Sequence, residues 1–327
     1  MTIPAELTSR VSEGRRLTDD DIASLAASYD IIALGMLGDE ARRRRHGART
    51  TFVRVAEVPA SGGAPSWPAT AGEIRIVGTP PNRRAAVDRV REVAAVAGAM
   101  PVSGFALSDL ERMAVAEATT LRLLLEELCA EGLEMVADAA FDRLADPRRA
   151  IEEVNISGLS LARLTIHQLP SPDVPALYTQ VADLQRRVGV IRAFAPLPRT
   201  LNPAVPTTGY DDVKRVALAR LIVDNIPSIQ VDWTLYGPKL AQVALTMGAD
   251  DIDAVPAADD LSDGPRRATR EEILRNIRAA GQEPVERNGR FELVDGPPKG
   301  GPHVPVDGPP KESVNESHST QRLRSPQ

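Results

Sequence analysis

The residues able to do chemistry are few in this chain of 327 residues. Its one cysteine, Cys129, lies in a stretch from Leu121 to Gly132 whose apolar spacing is helical and which a glycine stops, so core packing is its expected role. One thiol excludes an intrachain disulfide, a four-cysteine zinc site and a four-iron cluster ligated by this chain's own cysteines. His46 and His167 are far apart in sequence, while His303 and His318 fall in a tail rich in proline and glycine. No metal ion is therefore expected. Asp250-Asp251-Ile252-Asp253 has the composition of a magnesium-binding run, but a structural or substrate-facing role is the expectation. His167 closes an alternating run and is a candidate acid or base, with Asp232 or Asp142 as its carboxylate partner. The bland reading, a hydrogen-bonded histidine at a strand end, stands beside it.

These residues must be positioned by an alternation of two kinds of segment. Short apolar or alternating runs at Thr51–Glu57, Glu73–Gly78, Val102–Ala106, Leu133–Asp138, Leu161–His167, Val190–Pro196, Ser228–Leu235 and Asp251–Val255 read as strands. Amphipathic helices fill most intervals, at Ala85–Ala97, Asp109–Ala130, Ala176–Val188, Tyr210–Asn225 and Lys239–Met247. Eight such rounds predict an α/β fold, a parallel (β/α)8 barrel of the TIM type, with a doubly wound open sheet as the competing arrangement. Between Glu57 and Glu73 the chain is rich in proline and glycine without helical period, so the first crossover helix is expected to be missing. Residues 1–50 read as a helical lead-in, where Thr18 and Asp19-Asp20-Asp21 cap a helix presenting Ile22, Leu25, Ala26 and Tyr29 on one face. The barrel and a short extension occupy 51–294. In the tail, 295–327, the run Val-Asp-Gly-Pro-Pro-Lys at 294–299 recurs at 306–311, and disorder is expected.

Strand parity then nominates ligand-facing side chains. Leu164 and Ile166 suit the helix side, which turns Arg163, Thr165 and His167 inward; Ile229, Val231 and Trp233 likewise leave Gln230, Asp232 and Thr234 inside. The same parity puts Arg54 and Arg75 inside, so the lumen is expected to be basic and to suit an anionic small molecule. Arginines paired with Asp138, Asp142 or Asp232 to neutralise a polar interior are the plainer alternative.

Composition sets the outer limits. Hydrophobic residues are 43% and charged residues 26% of the chain, the balance of a globular protein. A formal charge of -6 argues against nucleic acid as a partner, and the basic run Arg42–Arg45 reads as a solvated helix end. No apolar run is long enough to span a membrane, and residues 1–6 lack the order of a secretion signal, so the cytoplasm is the expected location.

The stretch from Asp224 to Asp253, with Ser228-Ile-Gln-Val-Asp-Trp-Thr-Leu-Tyr-Gly-Pro-Lys239 at its centre, closely resembles the radical-SAM enzymes of the futalosine pathway of menaquinone biosynthesis. Ala279–Asn288 continues the resemblance and is closer to aminofutalosine synthase than to the related cyclase; Gly14–Asp21, Arg42–Gly47, Glu73–Gly78 and Glu131–Glu134 fall in the family's order. The resemblance implies a radical-SAM barrel, a four-iron cluster on a CxxxCxxC loop, S-adenosylmethionine, and a carboxylate-bearing aromatic enol ether as substrate. In the place of that loop stands Pro59–Ser66, and the family's glycine-rich turns are replaced by Val136–Ala140 and Gly78-Thr-Pro-Pro81. The expectation is a barrel without a cofactor, acting as a non-catalytic anion-binding or accessory protein beside an intact radical-SAM paralogue. A cluster-free enzyme using His167 with a carboxylate, and a working aminofutalosine synthase (a transferase) as the family name implies, are the alternatives.

Overall fold

The structure is a computed structural model that describes residues 3–168, 173–200, 208–259 and 269–294. The expectations for the tail, its repeat, His303 and His318 lie outside the described residues.

Eight strand positions close into a parallel barrel. They are β1 (Arg49–Pro59), β2 (Glu73–Val77), β3 (Val102–Ala106), β4 (Met135–Ala140), a fifth in two pieces, β5 (Ser160–Leu161) and β6 (Leu164–Ile166), β7 (Ala193–Pro198), β8 (Ser228–Asp232) and β9 (Asp251–Pro256). Each pairs with the next, and β9 returns to β1 through Thr51 with Asp251 and Phe52 with Ile252, which closes the ring and excludes the open sheet. The strands alternate as parity requires. Ile74, Ile76, Leu164, Ile166, Ile229, Val231 and Ile252 join the large apolar cluster under the helices, while Arg75, Arg163, Gln230 and Asp253 point the other way.

The helices are α1 (Ala5–Ser12), α2 (Asp19–Ala27), α3 (Ile31–His46), α4 (Arg83–Ala97), α5 (Leu107–Ala116), α6 (Leu121–Ala130), α7 (Pro147–Ile156), α8 (Val174–Val188), α9 (Gly209–Ile222), α10 (Trp233–Leu245) and α11 (Thr269–Ala279). The single helix expected over Asp109–Ala130 is two, because Ala118 takes a positive φ of 50° and Thr120 recaps the chain on the Leu123 amide. The eighth strand is shorter than expected for a similar reason. Asp232 accepts from the Leu235 amide at 2.8 Å and starts α10 at Trp233, so Thr234 is helical and not a strand residue.

The segment 60–72 joins β1 to β2 without a helix, as its composition predicts. Arg89 of α4 fixes that loop: its buried guanidinium donates to the carbonyls of Pro59 at 2.9 Å, Gly62 at 3.0 Å and Gly63 at 3.0 Å.

The lead-in belongs to the same compact unit as the barrel, which runs from Met1 to Val294. Thr18 and Asp21 form the expected capping box, but α2 ends at Ala27, so Tyr29 falls beyond it and is 80% exposed instead of sharing the face of Leu25. The basic run is also not simply solvated. Arg42 is 1% exposed, bound to Asp39 and to the Gly47 carbonyl, and Arg45 donates to the Ile226 carbonyl at 2.6 Å. At Gly38 helix α3 lies so close to the turn after α10 that an added Cβ would stand 2.3 Å from the Met247 carbonyl oxygen, and it would meet Ala217 Cα of α9 at 3.5 Å. Backbone cannot yield as a side-chain tip does, so Gly38→Ala is expected to cost about 1–3 kcal/mol; an unchanged urea midpoint would contradict this packing.

A last strand, β10 (Glu283–Glu286), pairs with the start of β1. The chain then crosses the N-terminal end of the barrel: Arg287 N donates to Phe52 O at 2.9 Å and Gly289 N to Gly72 O at 3.0 Å. Among the described residues, no helix is long and apolar enough to cross a membrane.

Candidate functional site

The C-terminal ends of the strands surround a cavity of about 430 Å³ whose wall includes Glu57, Arg75, Asp138, Arg163, Arg199, Asp232 and Thr234. This is the end at which barrel proteins bind ligands, because the strand-to-helix loops open there.

Charge inside the lumen is arranged in layers. Lowest is Asp251, which accepts two bonds of 2.7 Å from Arg287 Nε and Nη2, one of 2.6 Å from Gln230 Nε2 and one from the Thr51 hydroxyl. One layer higher is Asp253. Arg75 grips it with Nη2 on Oδ1 at 2.9 Å and Nη1 on Oδ2 at 3.0 Å, and Arg163 Nη1 meets Oδ2 at 2.6 Å. Arg75 Nε turns to Glu73 at 2.8 Å. Burial pushes the Asp253 carboxyl up, but Arg163 and Arg75 outweigh it and hold the group well below the usual carboxylate range. At the rim Arg199 pairs with Asp232.

The lumen is therefore not basic. Its arginines meet Glu73, Asp253 and Asp232, the neutralising arrangement. Glu57 and Asp138 add two carboxylates to the rim. Arg163 is the poorly compensated cation, since burial and the neighbouring Arg75 pull its pKa down and a single hydrogen bond anchors it. Arg163 Nε, Thr165 Oγ1 and Gln230 Oε1 are buried without a hydrogen-bond partner.

Not all the nominated residues gather here. Arg75 and Arg163 do, and Thr234 reaches the wall from α10 with its hydroxyl on the Ala254 carbonyl at 2.7 Å. Thr165 and Gln230 are inward but fully enclosed below the wall. Arg54 turns to the helix side, where its Nε binds Glu286 at 2.7 Å beside Arg270 of α11; β1 alternates regularly, with Thr51 and Glu57 inward and Phe52 and Val58 in the apolar cluster, so Arg54 falls on their side and the expected phase was the wrong one. His167 does not meet either proposed carboxylate. Asp142 accepts from the backbone amides of His167 and Gln168 at 2.7 and 2.8 Å, Asp232 is engaged by Arg199, and the imidazole faces Arg143 and Thr200. Arg199 and Asp253 were the residues missed. Continuing the alternation of the seventh strand past Pro196 would have reached Arg199, and Asp253 was read only as part of an acidic run. Each acid of that run is taken by arginine: Asp250 by Arg220, Asp251 by Arg287, Asp253 by Arg75 and Arg163.

Residues 197–300 match the CofH/MqnC C-terminal region. The aminodeoxyfutalosine synthase of Thermus thermophilus is 26% identical over 86% of this chain and 93% of its own length. That of Streptomyces coelicolor is 40% identical over 27% of this chain and 24% of its own. Among solved structures, methylornithine synthase superposes with a TM-score of 0.62 at 13% identity, covering 85% of this chain and 97% of the other. The FeFe-hydrogenase maturase HydG of Carboxydothermus hydrogenoformans gives 0.58 at 11% identity, covering 86% and 79%.

This kinship corrects the expectation of a barrel without a cofactor, since the synthases and the radical-SAM structures it resembles normally use a four-iron cluster and S-adenosylmethionine. What the residues establish is narrower. Cys129, the one cysteine, lines a cleft with Gly132–Met135 at the N-terminal end of β4, away from the mouth, and the loop 60–72 holds no thiol. With one cysteine, the three thiolates for such a cube do not come from this chain. Matched along its C-terminal third by a family region and over most of its length by a synthase, the chain is similar to the radical-SAM enzymes of the futalosine pathway.

Proposed function

We propose that this protein is an accessory barrel of futalosine-type menaquinone biosynthesis, which holds an anionic pathway compound at its mouth while a cysteine-bearing homologue supplies the radical chemistry. The observation that carries this reading is Arg163: a cation on the wall of a 430 Å³ cavity, anchored by one hydrogen bond and with its Nε unsatisfied. A carboxylate bound there would complete the coordination of a guanidinium already stripped of water, where charge-assisted hydrogen bonds are strongest. Arg199 stands on the same wall and, among the described residues, is hydrogen-bonded to one carboxylate, Asp232. The cytoplasm, where such a pathway compound would be met, fits this role.

Calorimetric titration with the carboxylate-bearing aromatic enol ether tests it. Binding is expected, and Arg163→Ala should weaken it by a factor of about 10–100, the worth of a hydrogen bond to a charged group. Absence of heat, together with failure to co-purify with a cysteine-bearing homologue, would end the proposal. The reading of His167 as an acid or base in a cluster-free enzyme has no comparable support, since neither Asp142 nor Asp232 touches its ring.

A further inference from the structure

Opposite the mouth, at the N-terminal end of the barrel, lies a second cavity of about 400 Å³ whose wall includes Arg49, Arg192, Pro227, Asp250, Phe291 and Leu293. Most of the charge around it is already paired. Asp250 accepts from Arg220, from the Ser228 hydroxyl at 2.6 Å and from the Ile229 amide at 2.8 Å, and Arg287 is taken by Asp251. Burial pulls the His46 pKa down, so its imidazole is neutral at pH 7 and donates from Nε2 to the Pro227 carbonyl at 3.0 Å. Arg49 and Arg192 are different. Among the described residues the Arg49 side chain has no hydrogen bond or ion pair, although Glu283 stands opposite it on β10. Arg192 has one bond, to Arg290 O at 2.9 Å, and meets no carboxylate among the described residues.

The register of the strands relates these two cations to each other. Ala193 faces Ser228, while Gln230 and Thr51 both face Asp251, so Arg192, Pro227 and Arg49 enter their strands within about one residue of the same level. The order β7–β8–β9–β1 puts three strand spacings of about 4.8 Å between Arg192 and Arg49, with Pro227 between them. Phe291 and Leu293 extend the apolar part of the wall. Leu293 is 49% exposed, and Phe291 holds φ at 64°, rare for a bulky residue, with its ring on the Arg287 guanidinium. Two cations without counter-ions thus share a cavity with an uncovered apolar surface. A single small oxyanion would neutralise one guanidinium and leave the apolar wall wet. Two carboxylates on an apolar body would give each guanidinium a planar, two-pronged partner and would cover Pro227, Phe291 and Leu293.

We propose that this cavity is a second ligand site, which takes an aromatic or otherwise apolar dicarboxylate through Arg49 and Arg192. It is independent of the reading of the mouth as an anion site, because the two cavities share no residue. A ligand held there would tie the start of β1, through Arg49, to Phe291 and Leu293 of the C-terminal extension.

Calorimetric titration of the full chain with isophthalate tests this, with benzoate and inorganic phosphate as comparisons. Isophthalate is expected to bind about tenfold or more tightly than either, because benzoate lacks one of the two charge-assisted pairs and phosphate lacks the apolar body. Arg49→Ala and Arg192→Ala should each bring isophthalate to within about threefold of benzoate. Both side chains are exposed and neither holds a carboxylate, so both variants should melt close to the parent. Arg163→Ala, at the mouth, should leave isophthalate affinity unchanged. Amides of β10 should exchange more slowly when isophthalate is bound, because the ligand joins β1 to the extension. Absence of isophthalate binding, benzoate or phosphate binding as tightly as isophthalate, or an affinity indifferent to Arg49→Ala or Arg192→Ala would each overturn the inference. A loss in Arg163→Ala alone would put the dicarboxylate at the mouth, which also overturns it while leaving the anion reading of the mouth intact.

Discussion

Asp253→Ala is expected to lower the free energy of unfolding at pH 7 by about 3–5 kcal/mol, the cost of removing one partner from a buried ion pair and leaving the other charge unpaired. The effect should lie at the top of that range, because one carboxylate serves two guanidinium groups, and both Arg75 and Arg163 are almost completely buried. Arg75 would keep Glu73; Arg163 would keep no hydrogen-bonded carboxylate. The linkage to pH has a definite sign. The folded-state pKa of Asp253 is depressed below its unfolded value of about 3.9, so its contribution is complete above that value and is lost as pH falls through the folded pKa. Urea midpoints of the parent should therefore decline below about pH 4, and the part of that decline due to Asp253 should be missing in Asp253→Asn. A loss under 1 kcal/mol at pH 7 would mean that the arginines find other partners, and the layered account of the lumen would be wrong.

Much of this barrel was legible in the sequence because its strands carry two messages at once. Ile74 and Ile76 around Arg75, or Leu164 and Ile166 around Thr165, state both the strand and which side faces the helices. The missing crossover helix was legible because proline and glycine between Glu57 and Glu73 leave no other reading. What failed were features set by contacts distant in sequence. Arg54 shares the side of Phe52 and Val58, a phase that Thr51 and Glu57 fix only through their partners across the lumen, and Thr234 left its strand because Asp232 caps a helix. The basic lumen failed for a related reason: arginines can be counted along strands, but their carboxylates come from β2, β8 and β9. Neither the deep enclosure of Thr165 and Gln230 nor the separation of the His167 ring from Asp142 can be read from spacing.

Replacing Arg287 should show that the barrel is closed from below by the chain's own C-terminal extension. Arg287 is 2% exposed, donates twice to Asp251, and lies with its guanidinium carbon 4.0 Å from the Phe291 ring centroid. Its backbone amide also ties the extension to Phe52. Arg287→Ala is expected to cost about 3–5 kcal/mol, since Asp251 would remain buried with only Gln230 and Thr51 as donors. Amides of β10 should exchange faster in the same variant, because among the described residues the strand is paired with β1 along one edge and meets just the Val294 amide, on Glu286 O, along the other. Loss of side-chain packing alone would give the same sign, so the discriminating measurement is the pair. Converting Asp251 to Leu and Arg287 to Met together removes both buried charges and keeps the volume, and such exchanges are often neutral or stabilising. The double variant should therefore be more stable than either single one. If the two losses simply add, the Asp251–Arg287 pair does not close the barrel, and the extension is held by its backbone contacts to Phe52 and Gly72 and by pairs such as Arg290 with Glu134.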